Sequence, residues 1–167
     1  MLPGMARPRS VPDALVHDTV CRLLLEGGDK AVSFGSVARA TGLAGATLVG
    51  RHGSRDRMVQ AALGHFWDRL EAATIAAEPE PKASAFLKAI GEAADARLIA
   101  LSLSDRALAE RAEAWRQAVE TSLTFRLGRT DSAAMMFALW QGQRLWQPAG
   151  ERGFRLKDAA RRLAQAT

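Results

Sequence analysis

The stretch SFGSVARATGLAGATLVGRHGSRDRM, residues 33–58, decides the fold. Ser33 is a favourable N-cap, and apolar residues recur behind it at helical spacing as far as Gly42, which can adopt the left-handed conformation that ends a helix. A second short helical segment follows over residues 46–50. Two short helices joined at a glycine predict a helix-turn-helix, a module that can lay its second helix in the DNA major groove. On spacing alone, an ordinary helical hairpin inside a bundle remains open as well.

Helical periodicity extends to both sides of this stretch. The pattern predicts a first helix over residues 12–26, ended by Gly27 and Gly28, and a long helix over 55–77 with Ser54 as its cap. The residues of the long helix that are expected to face inward are Met58, Ala62, Phe66, Leu70 and Ile75. Further helices are predicted over residues 83–103, 105–127, 131–147 and 156–166.

No segment alternates apolar and polar residues as a strand would. The sequence therefore predicts an all-α fold with about eight or nine helices. We expect an N-terminal arm and a helix-turn-helix unit of three helices in residues 1–53, followed by a helical bundle for ligand binding and dimerisation in residues 54–167.

Composition limits the class of protein. The chain has 167 residues, of which 48% are hydrophobic and 25% charged, as is typical of a soluble globular protein. The formal net charge of +5 favours an anionic partner such as nucleic acid or an anionic membrane surface. A solvated surface of ordinary arginines explains the charge equally well. Residues 1–10 are expected to form a flexible arm in which Arg7 and Arg9 carry positive charge.

The single cysteine, Cys21, excludes an internal disulfide and favours a reducing, cytoplasmic location. No segment approaches the roughly 20 apolar residues that a membrane helix requires, so no membrane association is expected. The three histidines are scattered along the chain, and no Cys, His or carboxylate cluster has the spacing of metal ligands. Phosphate-loop and nucleophile motifs are absent. We therefore expect no catalytic residue, no metal site and no cofactor.

In residues 28–58 the chain resembles the TetR-type bacterial transcriptional regulators. Their N-terminal signature has a glycine, a capped helix, a small-glycine-apolar turn, a short recognition helix and a Ser-Arg-Asp start to the next helix. The matching residues here are Gly28, Ser33, Phe34, Val37, Ala38, Thr41, Gly42, Leu43, Thr47, Leu48, Ser54, Arg55, Asp56 and Met58. The C-terminal half resembles the family only in its layout of two final helices.

The resemblance implies a repressor that binds double-stranded DNA as a homodimer, pairs through its last two helices and recognises a near-palindromic operator. It also implies that a small-molecule effector binds in the C-terminal bundle and shifts the dimer away from the half-site spacing. Ser33 and Thr47 would then donate hydrogen bonds to phosphates. The positive charge would come from Arg39, Arg51 and Arg55, of which Arg51, together with His52, would reach base edges.

Several residues depart from the signature. Val49, Arg51 and His52 occupy positions where the family has a tyrosine and an aromatic-Phe pair, and Ala44 and Gly45 replace the polar residues that usually open the recognition helix. These departures keep a second hypothesis open: a dimer of the same fold that has lost specific DNA binding and acts as a small-molecule or lipid binder, or as a protein partner.

The second half of the chain is rich in aromatic residues and methionine. At helical spacing such residues are typical of a core or a dimer interface, but they can also line an apolar pocket between helices. We therefore predict a hydrophobic small-molecule effector. Its predicted pocket residues are Phe86, Ile90, Trp115, Phe125, Met136 and Trp140.

Overall fold

The computed structural model describes residues 11–150 and 153–165, and within these ranges the fold is all-α, as predicted. The arm expected over residues 1–10, with Arg7 and Arg9, lies outside the described residues. The helices of the described ranges are α1 (Asp13–Gly27), α2 (Phe34–Thr41), α3 (Gly45–His52), α4 (Arg55–Ala77), α5 (Ala83–Gly91), α6 (Ala96–Ser102), α7 (Arg106–Leu127), α8 (Thr130–Trp146) and α9 (Leu156–Gln165). Short 3-10 turns cover Asp29–Ala31 and Gln147–Ala149.

Contacts between residues divide the chain into two compact units, and the division falls inside α4, between Phe66 and Trp67. The first unit contains α1, α2, α3 and the N-terminal half of α4, and the second contains the helices that follow. The domains expected from the sequence, residues 1–53 for the arm and helix-turn-helix and residues 54–167 for the ligand-binding and dimerisation bundle, stay a prediction.

The first unit is built around small apolar side chains at helical spacing. α1 begins after Pro12, whose fixed φ suits the start of a helix, and ends at Gly28, whose φ is +69°. Cys21 of α1 is half-buried, with its Sγ 3.5 Å from the carbonyl oxygen of Ala62 on α4. The fully buried apolar side chains of this unit are Val16, Val20, Val37, Leu48, Met58 and Ala62.

The second unit has an aromatic core. Trp115 on α7 packs edge-on against Trp67 and Phe137, with ring centroids 5.7 and 5.8 Å apart, and it also contacts Trp140. Two indole N–H groups are satisfied inside this core, since Trp67 donates to the hydroxyl of Ser102 at 3.0 Å and Trp115 donates to that of Thr74 at 2.9 Å. The long helices α7 and α8 pack along each other and form the most extensive helix–helix contact of this unit.

The helix predicted over residues 83–103 is wrong in its continuity, because the chain forms two helices there, α5 and α6. Gly91 ends α5, and Asp95 caps α6 by accepting hydrogen bonds from the backbone N–H groups of Arg97 and Leu98 at 2.8 and 3.3 Å. A glycine and a good N-cap four residues apart thus outweigh the apolar periodicity that continues across them.

Ile75 is also a correction. It was expected to face the interior with Leu70, but it is 73% exposed, and Thr74 takes the buried position. The Thr74 hydroxyl donates to the carbonyl of Leu70 at 2.8 Å, so a polar side chain is satisfied within the helix and beside Trp115. No helix in the described part of the chain is long and apolar enough to cross a membrane.

Candidate functional site

The helix pair α2 and α3 forms the predicted helix-turn-helix in its local geometry. Ser33 caps α2: its Oγ accepts from the backbone N–H of Ser36 at 3.0 Å, and Ser36 Oγ accepts from the N–H of Ser33 at 2.9 Å. Gly42 ends α2 with a φ of +73°, and α3 begins three residues later. Val37 and Leu48 are fully buried and hold the two helices to the unit's core. Ser33 itself remains exposed.

The start of α3 is open to a ligand. Ala44 stands at the N-cap without a side-chain hydrogen bond, and Thr47 in the first turn is exposed. Val49 is 46% exposed on the same helix. A helix N-terminus without a cap leaves backbone N–H groups that favour an anion such as a phosphate. This end of α3 therefore offers the N–H groups, one hydroxyl and one aliphatic side chain.

Arg51, predicted to reach base edges, forms hydrogen bonds with other residues of the same chain. Its Nη1 donates to the carbonyl of Val11 at 2.8 Å and to Oδ1 of Asp13 at 2.9 Å, so the guanidinium ties the end of α3 to the start of α1. Base reading by Arg51 would require this pair to open.

Arg55 is likewise part of the framework. Its Nε donates to the carbonyl of Val32 at 3.0 Å, and its Nη2 donates to the backbone and the carboxylate of Asp29. The hydrogen bond to the Asp29 carboxylate raises the pKa of Arg55, against a smaller opposite effect of burial. The Ser-Arg-Asp start of α4 therefore anchors the 3-10 turn that precedes α2, while Ser54 caps α4 by accepting from the N–H of Arg57 at 3.2 Å.

The three histidines, which are scattered along the sequence, lie close together in space. His17 of α1 lies between His52 of α3 and His65 of α4, with ring centroids 5.6 and 5.5 Å away. Nε2 of His17 and Nε2 of His52 are buried without a hydrogen-bond partner. Burial lowers the pKa of His17, and the other two imidazoles lower it further, whereas Asp13 and Asp18 raise it. His52 thus packs inward, and no three metal-ligating side chains in the described ranges are placed to hold an ion.

Two cations of this region remain exposed. Arg39 on α2 and Arg57 on α4 have no ion pair within the described residues, and Arg57 Nη1 lies close to Gly53 at the end of α3. Arg39 was predicted as a charge for DNA. Arg57 was not singled out as a contact, and the signal that could have found it is its position at the third residue of a capped helix start.

The six predicted pocket residues do not surround one cavity. Five of them, Phe86, Ile90, Trp115, Met136 and Trp140, are buried core side chains. Phe125 is 89% exposed on α7. Trp140 is the one among the six that also lines an open cleft of about 650 Å³.

This cleft is bounded by the end of α5, the C-terminal half of α8 and the start of α9. Its walls combine aromatic rings with charged groups rather than aliphatic side chains alone. Its lining includes Lys88, Gly91, Trp140, Gln143, Arg144 and Trp146.

No family model matches the chain, and the comparison with curated proteins gave no match. The resemblance to TetR-type regulators therefore rests on the residues of the 28–58 stretch alone.

Proposed function

We propose that this protein is a DNA-binding transcriptional regulator of the TetR type, a cytoplasmic homodimeric repressor controlled by a small-molecule effector. The observation that carries the proposal is the α2–α3 pair, with a capping box at Ser33, a left-handed Gly42 and an uncapped, exposed start of α3. In such a pair the N-terminus of the second helix is exposed, and this is the end of the helix that a DNA phosphate can approach.

The exposed groups divide into two roles. Arg39, Thr47 and Arg57 are suited to phosphate oxygens, because each has a hydroxyl or a guanidinium at the surface. The exposed Ser33 hydroxyl donates to Ser36 Oγ at 3.2 Å and would have to give up this bond to donate to a phosphate. Sequence reading would depend on a smaller set, with Val49 able to contact a thymine methyl group. Arg51, Arg55 and His52 act mainly through the fold, since their side chains are engaged with or packed against other residues of the first unit.

The proposed dimer would use α8 and α9. Apolar side chains that are exposed on α8 support this assignment, because burying them in an interface would remove their apolar surface from water. They are Met135, Leu139, Leu145 and Trp146.

A second function is favoured by the engagement of Arg51 and the burial of His52 Nε2. With these two side chains unavailable, α3 presents few groups that distinguish one base pair from another. In this alternative the fold and the dimer persist, specific DNA binding is lost, and the protein acts through a bound small molecule, a lipid or a partner protein.

DNA binding measured across salt concentration separates the two functions. The test uses fluorescence anisotropy with labelled DNA from upstream of the protein's own gene and with a shuffled duplex of equal composition. For the regulator, we expect a preference for the native duplex that persists as salt rises, because base contacts are less salt-dependent than phosphate contacts. If both affinities fall equally with salt, the binding is nonspecific and comes only from the attraction between the +5 protein and the DNA phosphates.

Arg39→Ala tests the docking surface. Removal of one phosphate contact should weaken binding to both duplexes and lower the salt slope by about one unit. Arg106→Ala is the matched control, since this α7 arginine is 93% exposed and carries the same charge in the second unit. If both variants have the same effect, α2 does not face DNA.

A further inference from the structure

We propose that the cleft bounded by α5, α8 and the start of α9 binds a small organic anion with a flat apolar body, and that Arg144 selects its charge. The inference rests on the proposed function in one respect: it names the chemical class of the effector. It differs from the neutral hydrophobic ligand that the aromatic content of the sequence suggests.

Arg144 is a half-buried cation without a carboxylate partner among the described residues. Burial lowers the pKa of its guanidinium, and the charge of Asp95 only partly opposes this. Arginine nevertheless stays protonated at neutral pH, so the cleft wall holds a desolvated positive charge. An anion entering the cleft would compensate that charge, whereas a neutral apolar ligand would deepen its desolvation.

The guanidinium of Arg144 is held in place before any ligand arrives. Its Nε donates to the carbonyl of Ala94 at 2.8 Å, and its central carbon lies 5.8 Å from the ring centre of Trp140. Gly91 leaves the space for it, because a Cβ at that position would lie 3.1 Å from Nη1. With Nε bonded to Ala94, the terminal nitrogens are the donors left for a carboxylate.

The remaining walls suit the rest of such a ligand. Trp146, which is 68% exposed, supplies flat apolar surface next to the nearly buried Trp140, and Gln143, whose Nε2 donates to the carbonyl of Phe154, has its amide oxygen free to accept. Lys88 adds a second positive charge, Glu92 supplies a negative one, and Arg155 is paired with Asp158 at 2.7 Å. The cleft therefore has a net positive lining, and its volume of about 650 Å³ lies within the ordinary range of small-molecule sites.

Isothermal titration calorimetry with 2-naphthoate and its neutral counterpart 2-naphthamide tests the proposal on the full chain. The two probes share a ring system and differ in charge. We expect the carboxylate to bind at least about tenfold more tightly, since a charge-assisted hydrogen bond to a guanidinium is stronger than a neutral one. Equal binding of the two probes, or binding of neither, would overturn the proposal.

Variants identify the residue responsible. Arg144→Gln should reduce the affinity for 2-naphthoate by about tenfold or more and abolish the preference over 2-naphthamide. Arg106→Gln, which removes a charge from a fully solvated site on α7, should leave both affinities unchanged. Retention of the preference in Arg144→Gln would assign the selectivity to another group.

Because Arg144 also bonds the carbonyl of Ala94, Arg144→Gln is accompanied by a second variant that keeps every charge. Gly91→Ala places a methyl group 3.1 Å from Nη1 of Arg144, so the flexible end of the arginine must shift by a few tenths of an ångström. We expect the preference for the carboxylate to fall in this variant also; an unchanged preference would contradict the assigned position. The titrations contain no DNA, so a failure of operator binding and a failure of anion binding are distinguishable.

Discussion

His17 is the clearest case in which one residue links pH to folding. Its folded-state pKa is lowered below the usual value of 6.5, mainly by burial and then by His65 and His52, with Asp13 and Asp18 opposing. The unfolded chain therefore takes up the proton first as pH falls. The contribution of the neutral His17 to the free energy of unfolding is fully present above pH 6.5. It declines as the pH falls below 6.5 toward the lowered folded-state pKa.

Urea unfolding at a series of pH values between about 7.5 and 5 measures this dependence. We expect the free energy of unfolding of the wild type to fall with pH, and the slope to be smaller in His17→Gln, which cannot titrate. An identical slope in the two proteins would mean that His17 is not the group responsible.

Arg55 provides a second prediction at the scale of the residue. Arg55→Ala removes the bonds to Val32 and Asp29 that join α4 to the turn before α2. The side chain is about one third exposed, so solvent screening limits the effect, and we expect a loss of about 1 kcal/mol in the free energy of unfolding. Arg106→Ala on the solvated face of α7 should cost less than about 0.5 kcal/mol. A comparable effect of both changes would show that the Arg55 contacts contribute nothing specific.

Residue roles were the least predictable property of this sequence. The ends of α1, α2 and α7 follow from local chemistry, because Gly28, Gly42 and Gly128 each adopt a positive φ that only a glycine accepts readily. The pairing of Arg51 with Asp13 joins residues 38 positions apart, and the histidine cluster joins three helices. Such contacts depend on how helices pack, and periodicity within one helix contains no information about them.

Among the elements, α3 is short and carries a glycine in its interior. Gly50 has open space around the position of a Cβ, and its φ is not positive. Gly50→Ala should therefore stabilise α3 by about 0.5–1 kcal/mol, since alanine loses less backbone entropy than glycine on forming a helix. Hydrogen exchange of the α3 amides should slow accordingly.

Gly64→Ala is the matched control, because this α4 glycine is also helical with open space around it. If α3 binds DNA, ordering it in advance should raise DNA affinity in Gly50→Ala and not in Gly64→Ala. A stabilised α3 with unchanged affinity in both variants would favour the second function, in which DNA is not the ligand.

The predicted helix over residues 83–103 shows why elements were easier to predict than their interruptions. The apolar positions Phe86, Ile90, Ala94 and Leu98 continue at helical spacing through the break. The structure uses Gly91 and the cap at Asp95 to turn the chain, and Arg144 of α8 occupies the space that Gly91 leaves. The local signals at Gly91 and Asp95 place the break, and the packing of Arg144 against Gly91 supports it, whereas apolar periodicity alone shows neither.

At the scale of the whole molecule, the exposed apolar side chains of α8 predict self-association. Leu145 is 57% exposed on α8, and a glutamate there would place a charge inside the proposed dimer interface. Sedimentation velocity should show Leu145→Glu as a monomer at concentrations where the wild type is a dimer. Phe125→Glu introduces the same charge at a still more exposed apolar site on α7 and should leave the dimer intact. Dissociation by both variants, or by neither, would reject the α8 interface.

The aromatic core has a practical consequence for spectroscopy. The chain has four tryptophans and no tyrosine, and every tryptophan lies at residue 67 or later, in the second unit. Intrinsic emission and near-ultraviolet circular dichroism, which depends on fixed aromatic packing, therefore report mainly on that unit. The helix-turn-helix contributes almost no ultraviolet emission. A small molecule in the cleft would alter the indole signal of Trp140 and Trp146, while a dye on the DNA would report binding to the first unit, so one sample can follow both events in separate colours.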